Sequence, residues 1–352
     1  MTRTLRIATI GGDGIGPEVV RAAIPLLEHA AALDDARIAW DHLPLGADHY
    51  LATGATLPQA TFEYLRDHVD AIFLGALGDP RVPGNEHARD ILLGLRFRLD
   101  LYVNLRPVKL YHPDLTPLRT GQSGQIDFVI FRENTEGSYL GRGTASAEGT
   151  PEEEQIAHEV HTAAKVSRII RAAFEWARVH GRTLVTMADK ANAIPAHRLW
   201  QRLFHEIGAE YPGVEREHRY VDALAMEFVR TPERFQVVVT NNLYGDILSD
   251  LGAGLVGGLG LAASANLHPG RPGLFEPVHG SAPAIAGKGI ANPMAACLTG
   301  ALMFEHLGLP TAAAALEVAV REALAQGVRT PDIGGTAPTG EAAAAVMRAL
   351  GR

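Results

Sequence analysis

An α/β fold with a largely parallel sheet is predicted by three observations. Short β-branched runs alternate along the chain with longer helical patterns. Two of those runs, Thr183 to Met187 and Gln236 to Thr240, lead straight into polar residues, and ligands of open α/β sheets gather beyond the carboxyl ends of strands. The length, 352 residues at 47% hydrophobic content, suffices for two domains with a substantial core.

The elements follow in order. Leu5 to Ile10 reads as a strand, and Pro17 to Ala32 as an Ala-rich helix with Pro in its first turn. Ala71 to Leu74 and Phe128 to Phe131 are further strand candidates. Between Thr116 and Glu154 lie many Gly, Thr and Ser residues, including Gly121, Gly124, Gly137, Gly141 and Gly143, which predicts strands and exposed arms of a second domain. The acidic run Glu152 to Glu154 reads as a solvated helix start. Ala312 to Ala325 and Glu341 to Leu350 read as covering helices, and no internal repeat is visible.

Composition excludes several function classes. Thirty-two basic against forty acidic residues give a net charge of -8, so no general attraction to nucleic acid or anionic lipid is expected. Any anionic ligand must be held by a local cluster. The single Cys297 allows no intrachain disulfide, the segment from Met1 to Ile10 lacks a signal-peptide core, and no apolar run reaches membrane-spanning length. A cytoplasmic location is the expectation.

The chemistry resides in a few constellations. Asp246 and Asp250 stand four residues apart in the run from Asn241 to Asp250, so a helix there projects both carboxylates from one face, suited to Mg²⁺ or Mn²⁺. Asp222 adds a third carboxylate. Arg96, Arg106 and Arg132 offer guanidinium forks that together can orient a dicarboxylate. Tyr139, in the segment from Glu133 to Tyr139, is a candidate proton donor. Lys190 sits just past an apolar strand, and partial burial near a metal would make it useful as a base. Each of these taken alone reads as an ordinary surface group; the combination carries the reading.

Two glycine-rich segments bear on nucleotide binding. Gly11-Gly12-Asp13-Gly14-Ile15-Gly16-Pro17-Glu18 follows a strand and opens a helix, but the third glycine position of the dinucleotide fingerprint is Pro17, so a structural turn is at least as good a reading. The loop from His279 to Pro293 is the better candidate, since its small residues let backbone amides approach a ligand.

Taken together, the chain resembles the β-decarboxylating dehydrogenases, which act on isocitrate, homoisocitrate, 3-isopropylmalate and tartrate or D-malate. The similarity runs from Ile7 to about Gly300. It is carried by GDGIGPE at Gly12 to Glu18, LR-x7-NLRP at Leu95 to Pro107, RENTEG-x-Y at Arg132 to Tyr139, DKAN at Asp189 to Asn192, NLYGDILSD at Asn242 to Asp250 and HGSAP-x-IAGKGIANP at His279 to Pro293. The resemblance implies two α/β domains around a central cleft, with residues 1–101 plus 256–352 as a discontinuous cofactor-binding domain. Residues 102–255 then form the substrate, metal and dimerisation domain.

It further implies that Arg96, Arg106 and Arg132 bind the malate-like core, and that Asp222, Asp246 and Asp250 hold Mg²⁺ or Mn²⁺. Lys190 and Asp222 are implied to come from the second subunit of a homodimer. His279, Gly280, Ser281, Ala282, Ala284, Ile285 and Asn292 would take the adenosine half of the cofactor, with Gly75 and Asn192 near the nicotinamide. The implied reaction is oxidative decarboxylation of a 2-hydroxy-3-carboxy acid. Lys190 and Asp222 relay the hydroxyl proton as hydride leaves, the metal stabilises the enolate, and Tyr139 protonates the carbanion.

One position departs from the family pattern. Ala284 stands where NAD-dependent relatives commonly carry an aspartate, and the NADP-type lysine and tyrosine are absent too. Ile285 and the residues after it match the NAD branch, so NAD is expected, with NADP as the alternative. Leu92 and Leu93, in the helix before Arg96, suit the apolar substituent of a 3-isopropylmalate-like substrate. RENTEG and the segment from Gly78 to Pro83 pull toward the tartrate/D-malate and homoisocitrate branches, and isocitrate stays open. A non-redox metal-dependent lyase is the reading from another class, motivated by Ala284; a catalytically silent scaffold is a third, which the intact Tyr139, Lys190 and aspartates oppose.

Overall fold

The computed structural model of the chain describes residues 2–119 and 126–351. In chain order these form β1 (Arg3–Gly12), α1 (Gly16–Ala31), β2 (Ala36–Leu43), α2 (Ala47–Thr53), α3 (Gln59–Asp67), β3 (Ala71–Ala76), α4 (Glu86–Arg98), β4 (Val103–Lys109), β5 (Asp127–Glu133), β6 (Gly143–Ser146), β7 (Glu154–Ala157), α5 (Ala163–Val179), β8 (Leu184–Asp189), α6 (Arg198–Gly208), β9 (Glu215–Tyr220), α7 (Val221–Arg230), β10 (Val237–Thr240), α8 (Asn242–Leu255), β11 (Ala263–Leu267), β12 (Gly273–Pro277), α9 (Met294–His306), α10 (Pro310–Ala325) and α11 (Thr339–Leu350). The α/β class is as expected. Two compact units divide the chain: Met1–Leu101, Lys109–Arg119 and Ala253–Arg352 make the first, Tyr102–Val108 and Thr120–Gly252 the second.

In the first unit the strand order is β2-β1-β3-β12-β11, with β1 parallel to β2 and β3, β12 parallel to β3, and β11 antiparallel to β12. Every residue of β3 is buried, which explains its unbroken apolar sequence: a central parallel strand is covered on both faces. Helix α1 buries Val19, Val20, Ala23, Leu26, Leu27 and Ala30 at helical spacing, and Pro17 suits its first turn, where the amide needs no partner. Helix α9 is apolar nearly all round and is buried from Met294 to Ala301. A side chain at Gly300 would begin 2.1 Å from Leu27 Cδ2, so glycine there lets α9 lie against α1.

Residues 109–119, which the sequence reading gave to the other domain, belong to this unit. Lys109 Nζ pairs with Glu317 at 2.5 Å, Arg329 Nη2 donates to Asp114 at 2.9 Å, and Leu115 is buried.

The second unit orders its strands β4-β5-β10-β8-β9, with β5, β10, β8 and β9 parallel. Helix α5 turns Val166, Ile169, Ile170, Ala173 and Phe174 inward, and Thr162 caps its start by accepting the Lys165 amide. Strands β6 and β7 form a separate antiparallel hairpin whose residues are all exposed. Glu152 to Glu154 therefore leads from the hairpin turn into a strand rather than starting a helix: Glu154 pairs with Ser146 and β-branched Ile156 with Thr144. Gly121 and Gly124 lie outside the described residues. Among the described residues no helix is long and apolar enough to cross a membrane.

Candidate active site

The first functional grouping is built on α8. The helix starts at Asn242, as the aspartate spacing requires, and carries Asn242, Asp246, Ser249 and Asp250 along one side. Arg132 enters from β5 with its side chain 1% exposed and donates to Asp246 Oδ1 through Nη1. Its Nε and Nη2 donate to Asn242 Oδ1 at 2.9 and 2.7 Å. A side chain at position 245 would start 2.5 Å from Arg132 Cγ, which is why glycine precedes Asp246.

Arg106, from β4, donates through Nη1 to Ser249 Oγ at 2.7 Å and lies 3.3 Å from Asp246 Oδ1 and 3.5 Å from Asp250 Oδ1. Tyr139, half-buried, donates its hydroxyl to Asp246 Oδ2 at 2.6 Å, and the Arg132 guanidinium stands 5.2 Å from its ring centre. The segment that delivers Tyr139 is organised by Glu133, whose carboxylate accepts the Thr135 and Glu136 amides at 2.9 and 2.7 Å. Two guanidinium groups, two carboxylates and a phenol thus meet on one helix face.

The electrostatics follow from crowding. Desolvation, with added repulsion from Asp246, raises the Asp250 carboxyl above its ordinary range, against the pull of Arg106 and Arg132. Desolvation and the bond to Asp246 likewise raise the Tyr139 phenol, so it stays protonated at neutral pH. Two carboxylates that repel each other in a half-buried setting gain from a shared divalent cation, and an all-oxygen donor set suits Mg²⁺ or Mn²⁺. The donor set therefore fits the metal expected of it.

Lys190 and Asp222 form a second grouping. Lys190 occupies the turn after β8, Asp222 the first turn of α7, and Lys190 Nζ lies 2.7 Å from Asp222 Oδ1. The lysine lowers the Asp222 carboxyl. The side chains are 25% and 67% exposed, so the pair is presented outward from the protomer. Asn192 is exposed on the same turn.

The remaining site positions belong to the first unit. Arg96 is buried and bonds to Glu276 Oε1 at 2.7 Å, an oxygen that also accepts Asn266 Nδ2 at 3.0 Å. Leu92 is half-buried and packs against the hydrophobic core that includes Ile91, Leu95 and Leu99, and Leu93 is half-buried as well. Gly75 is buried in β3, where a Cβ would sit 2.4 Å from Gly11 O, and this close approach accounts for the glycine without a ligand.

A cavity of about 540 Å³ is lined by Ile15, His279, Ala282, Ile285, Asn292 and Asp332, among others. The GDGIG segment contributes Ile15 to the lining and is tied to the opposite loop, with Ile15 N donating to Ser281 O at 2.8 Å. The buried Asp13 carboxylate accepts the Ala47 and Gly78 amides at 2.6 and 2.7 Å and holds His87 Nε2 at 2.8 Å. His279 is desolvated, which lowers its pKa, and its buried Nε2 has no hydrogen-bond partner, an orphaned polar atom in a cavity wall. Gly280 and Ala284 are exposed, and Ala284 is not among the lining residues. Sequence reasoning missed Asp332, whose Oδ2 accepts Asn292 Nδ2 at 3.1 Å. It also missed Asn242 and Ser249, though Asn242 lies one turn before Asp246 and the spacing alone marks the shared face.

Comparison with known proteins decides the family. The isocitrate/isopropylmalate dehydrogenase profile matches residues 6–347. The chain belongs to that family. It is 46% identical to the 3-isopropylmalate dehydrogenase of Thermobifida fusca over 342 residues, covering 96% of each chain. It is 47% identical to the enzyme of the same name from Beutenbergia cavernae over 350 residues, covering 98% of this chain and 99% of that one. Among solved structures it is similar to the isocitrate dehydrogenase of Methylococcus capsulatus, with a TM-score of 0.89, 40% identity and coverage of 99% and 100%. As a family member it is a dehydrogenase of the isopropylmalate type, with the α/β fold of its structural neighbour.

Proposed function

We propose that the chain is an NAD-dependent, Mg²⁺- or Mn²⁺-dependent 3-isopropylmalate dehydrogenase that works as a homodimer. The observation that carries this is the convergence of Arg106, Arg132 and Tyr139 on Asp246 and Asp250. Relatives at 45–47% identity bear the name 3-isopropylmalate dehydrogenase, which favours that substrate within the family.

In this reading Arg96, Arg106 and Arg132 fix the substrate carboxylates in one orientation. Lys190, hydrogen-bonded to Asp222, accepts the proton of the C2 hydroxyl, and Tyr139, kept protonated by its surroundings, returns a proton to the carbon that has lost CO₂. The nicotinamide supplies the hydride acceptor, and a divalent cation on Asp246, Asp250 and Asp222 supplies Lewis acidity. Direct pairing of the arginines with the aspartates keeps both sets poised on one helix face.

Cofactor choice rests on the cavity. Asp332 lines it and no lysine or arginine does among the described residues, so a 2′-phosphate would meet a carboxylate and no cation. That favours NAD over NADP. The dimer is supported by exposed apolar side chains on α7 and α8, namely Met226, Val229, Leu243 and Ile247, of which Ile247 is 58% exposed, and by Ile156 on the hairpin. The outward Lys190–Asp222 pair fits a site completed by a second copy.

The test is a spectrophotometric panel of 3-isopropylmalate, isocitrate, homoisocitrate, D-malate and tartrate with Mg²⁺ or Mn²⁺ and either nicotinamide. Preferred turnover of 3-isopropylmalate with NAD supports the proposal. Preference for another acid moves the chain to that branch, and no reduced cofactor from any acid refutes the reading.

A further inference from the structure

Beside the lysine turn lies a partly buried cluster that the reaction scheme does not use: Glu159, His161 and His197. Their ligand atoms all lie within 4.8 Å of one another, which invites a second metal site. The hydrogen bonding of His197 argues otherwise. Its ring is fully buried, and Nδ1 accepts the backbone N–H of Lys190 at 3.0 Å. A neutral imidazole carries one proton, so an accepting Nδ1 places that proton on Nε2. Nε2 then faces Glu159 Oε1 at 3.2 Å as a donor and has no lone pair for a metal. The His161 ring is nearly buried as well, its Nε2 3.1 Å from the same carboxylate oxygen.

The cluster has a connection on each side. Toward β8 it holds Lys190 through the amide that donates to His197, while the Lys190 carbonyl accepts the Ala193 and Ile194 amides at 2.9 and 2.8 Å. Toward α8, Glu159 Oε1 accepts Asn241 Nδ2 at 3.1 Å, and Asn241 Oδ1 caps the helix by accepting the Tyr244 amide at 2.8 Å. The Tyr244 ring stands edge-on to His197 at 5.5 Å. One carboxylate thereby links the turn that bears Lys190 to the start of the helix that bears Asp246.

We infer that His197 is a positioning residue for Lys190, held in a single tautomer by Glu159, so that the lysine Nζ is aimed at Asp222 and at the substrate hydroxyl. The inference rests on Lys190 acting as the base. The two His197 bonds can be separated by substitution. In His197→Asn the side-chain oxygen falls near the position of Nδ1 and can accept the Lys190 amide, whereas the amide of His197→Gln reaches toward Glu159 and leaves the Lys190 N–H without its acceptor.

Steady-state kinetics of the purified full chain with 3-isopropylmalate, NAD and Mg²⁺ read the difference, with thermal melting run on the same samples. His197→Gln is expected to lower kcat by about 10- to 100-fold with the substrate KM unchanged, as for a catalytic group displaced by a fraction of an ångström to one ångström. His197→Asn is expected to recover most of that loss at a melting temperature no higher than that of His197→Gln. Equal kcat in both variants, whether near that of the unaltered chain or equally reduced, overturns the inference. So does stoichiometric Zn²⁺ binding by calorimetry that His197→Gln abolishes. Lys190→Ala separates the two levels: lost turnover there together with full turnover in His197→Gln refutes the positioning role alone, while full turnover in Lys190→Ala refutes the assignment of the base and the inference with it.

Discussion

Gly14→Ala tests how the cavity lined by Ile15, His279 and Asp332 is built. Gly14 has φ +57°, and a Cβ there would sit 1.9 Å from the Ser281 carbonyl oxygen and 2.7 Å from its carbon. Both atoms are backbone, so no rotamer change relieves the clash. The left-handed conformation alone costs an alanine about 1 kcal/mol. Moving the loop away also breaks the bond from Ile15 N to Ser281 O, worth about 1 kcal/mol, and residual distortion brings the total to about 2–3 kcal/mol. Gly54→Ala is the control, since Gly54 has φ +73° and nothing lies within 4 Å of its Cβ position, so only the conformational cost of about 1 kcal/mol applies. Urea unfolding measures both. Because Ile15 and Ala282 line the cavity, Gly14→Ala should also raise the KM for NAD severalfold while Gly54→Ala leaves it alone. Equal stabilities for the two variants, with equal KM for NAD, would refute the argument that this turn braces the cavity.

Other outcomes follow from the same geometry. Tyr139→Phe keeps the ring beside Arg132 and removes the proton donor, so turnover should fall by about 10²- to 10⁴-fold with little change in substrate KM, measured by initial rates. Asp250→Asn removes a carboxyl whose folded-state pKa is raised; such a group favours the folded state only below its unfolded pKa and loses that contribution as pH rises through the folded value. At neutral pH the metal-free variant should thus be no less stable than the unaltered chain in urea, yet gain less on adding Mg²⁺. Glu159 is the opposite case, depressed from 4.5 to about 2 by His161 and His197, so its contribution is present above pH 4.5 and lost as pH falls toward 2. Glu159→Gln should flatten the unfolding midpoint over that window, read by circular dichroism.

The sequence made most of this legible where local pattern and function coincide. Asp246 and Asp250 required a helix from about Asn242, and α8 starts there. The strands before Lys190 and Asn241 announced themselves because parallel central strands are continuously apolar and end in polar loops. Other features needed distance information. Asp332 lies forty residues from Asn292 in the chain, and nothing in its neighbours marks it as a cavity residue. Leu92, Leu95 and Leu99 share a helical stripe, so Leu92 meets the core on one side while staying half-buried, a placement that spacing registers but a pocket assignment does not. Glu159 and His197 join through a part-buried contact thirty-eight residues apart, which periodicity does not register.

The central claim is that a complete site needs Tyr139 and the α8 aspartates of one protomer with Lys190 and Asp222 of its mate. Mixed refolding of two inactive variants, Tyr139→Phe and Lys190→Met, tests it directly. If the site is shared, one of the two sites in each mixed dimer carries both substitutions and the other neither, so about a quarter of the unaltered activity should return. Activity that stays at the level of the separate variants, with mixed dimers demonstrated by mass spectrometry, would contradict it.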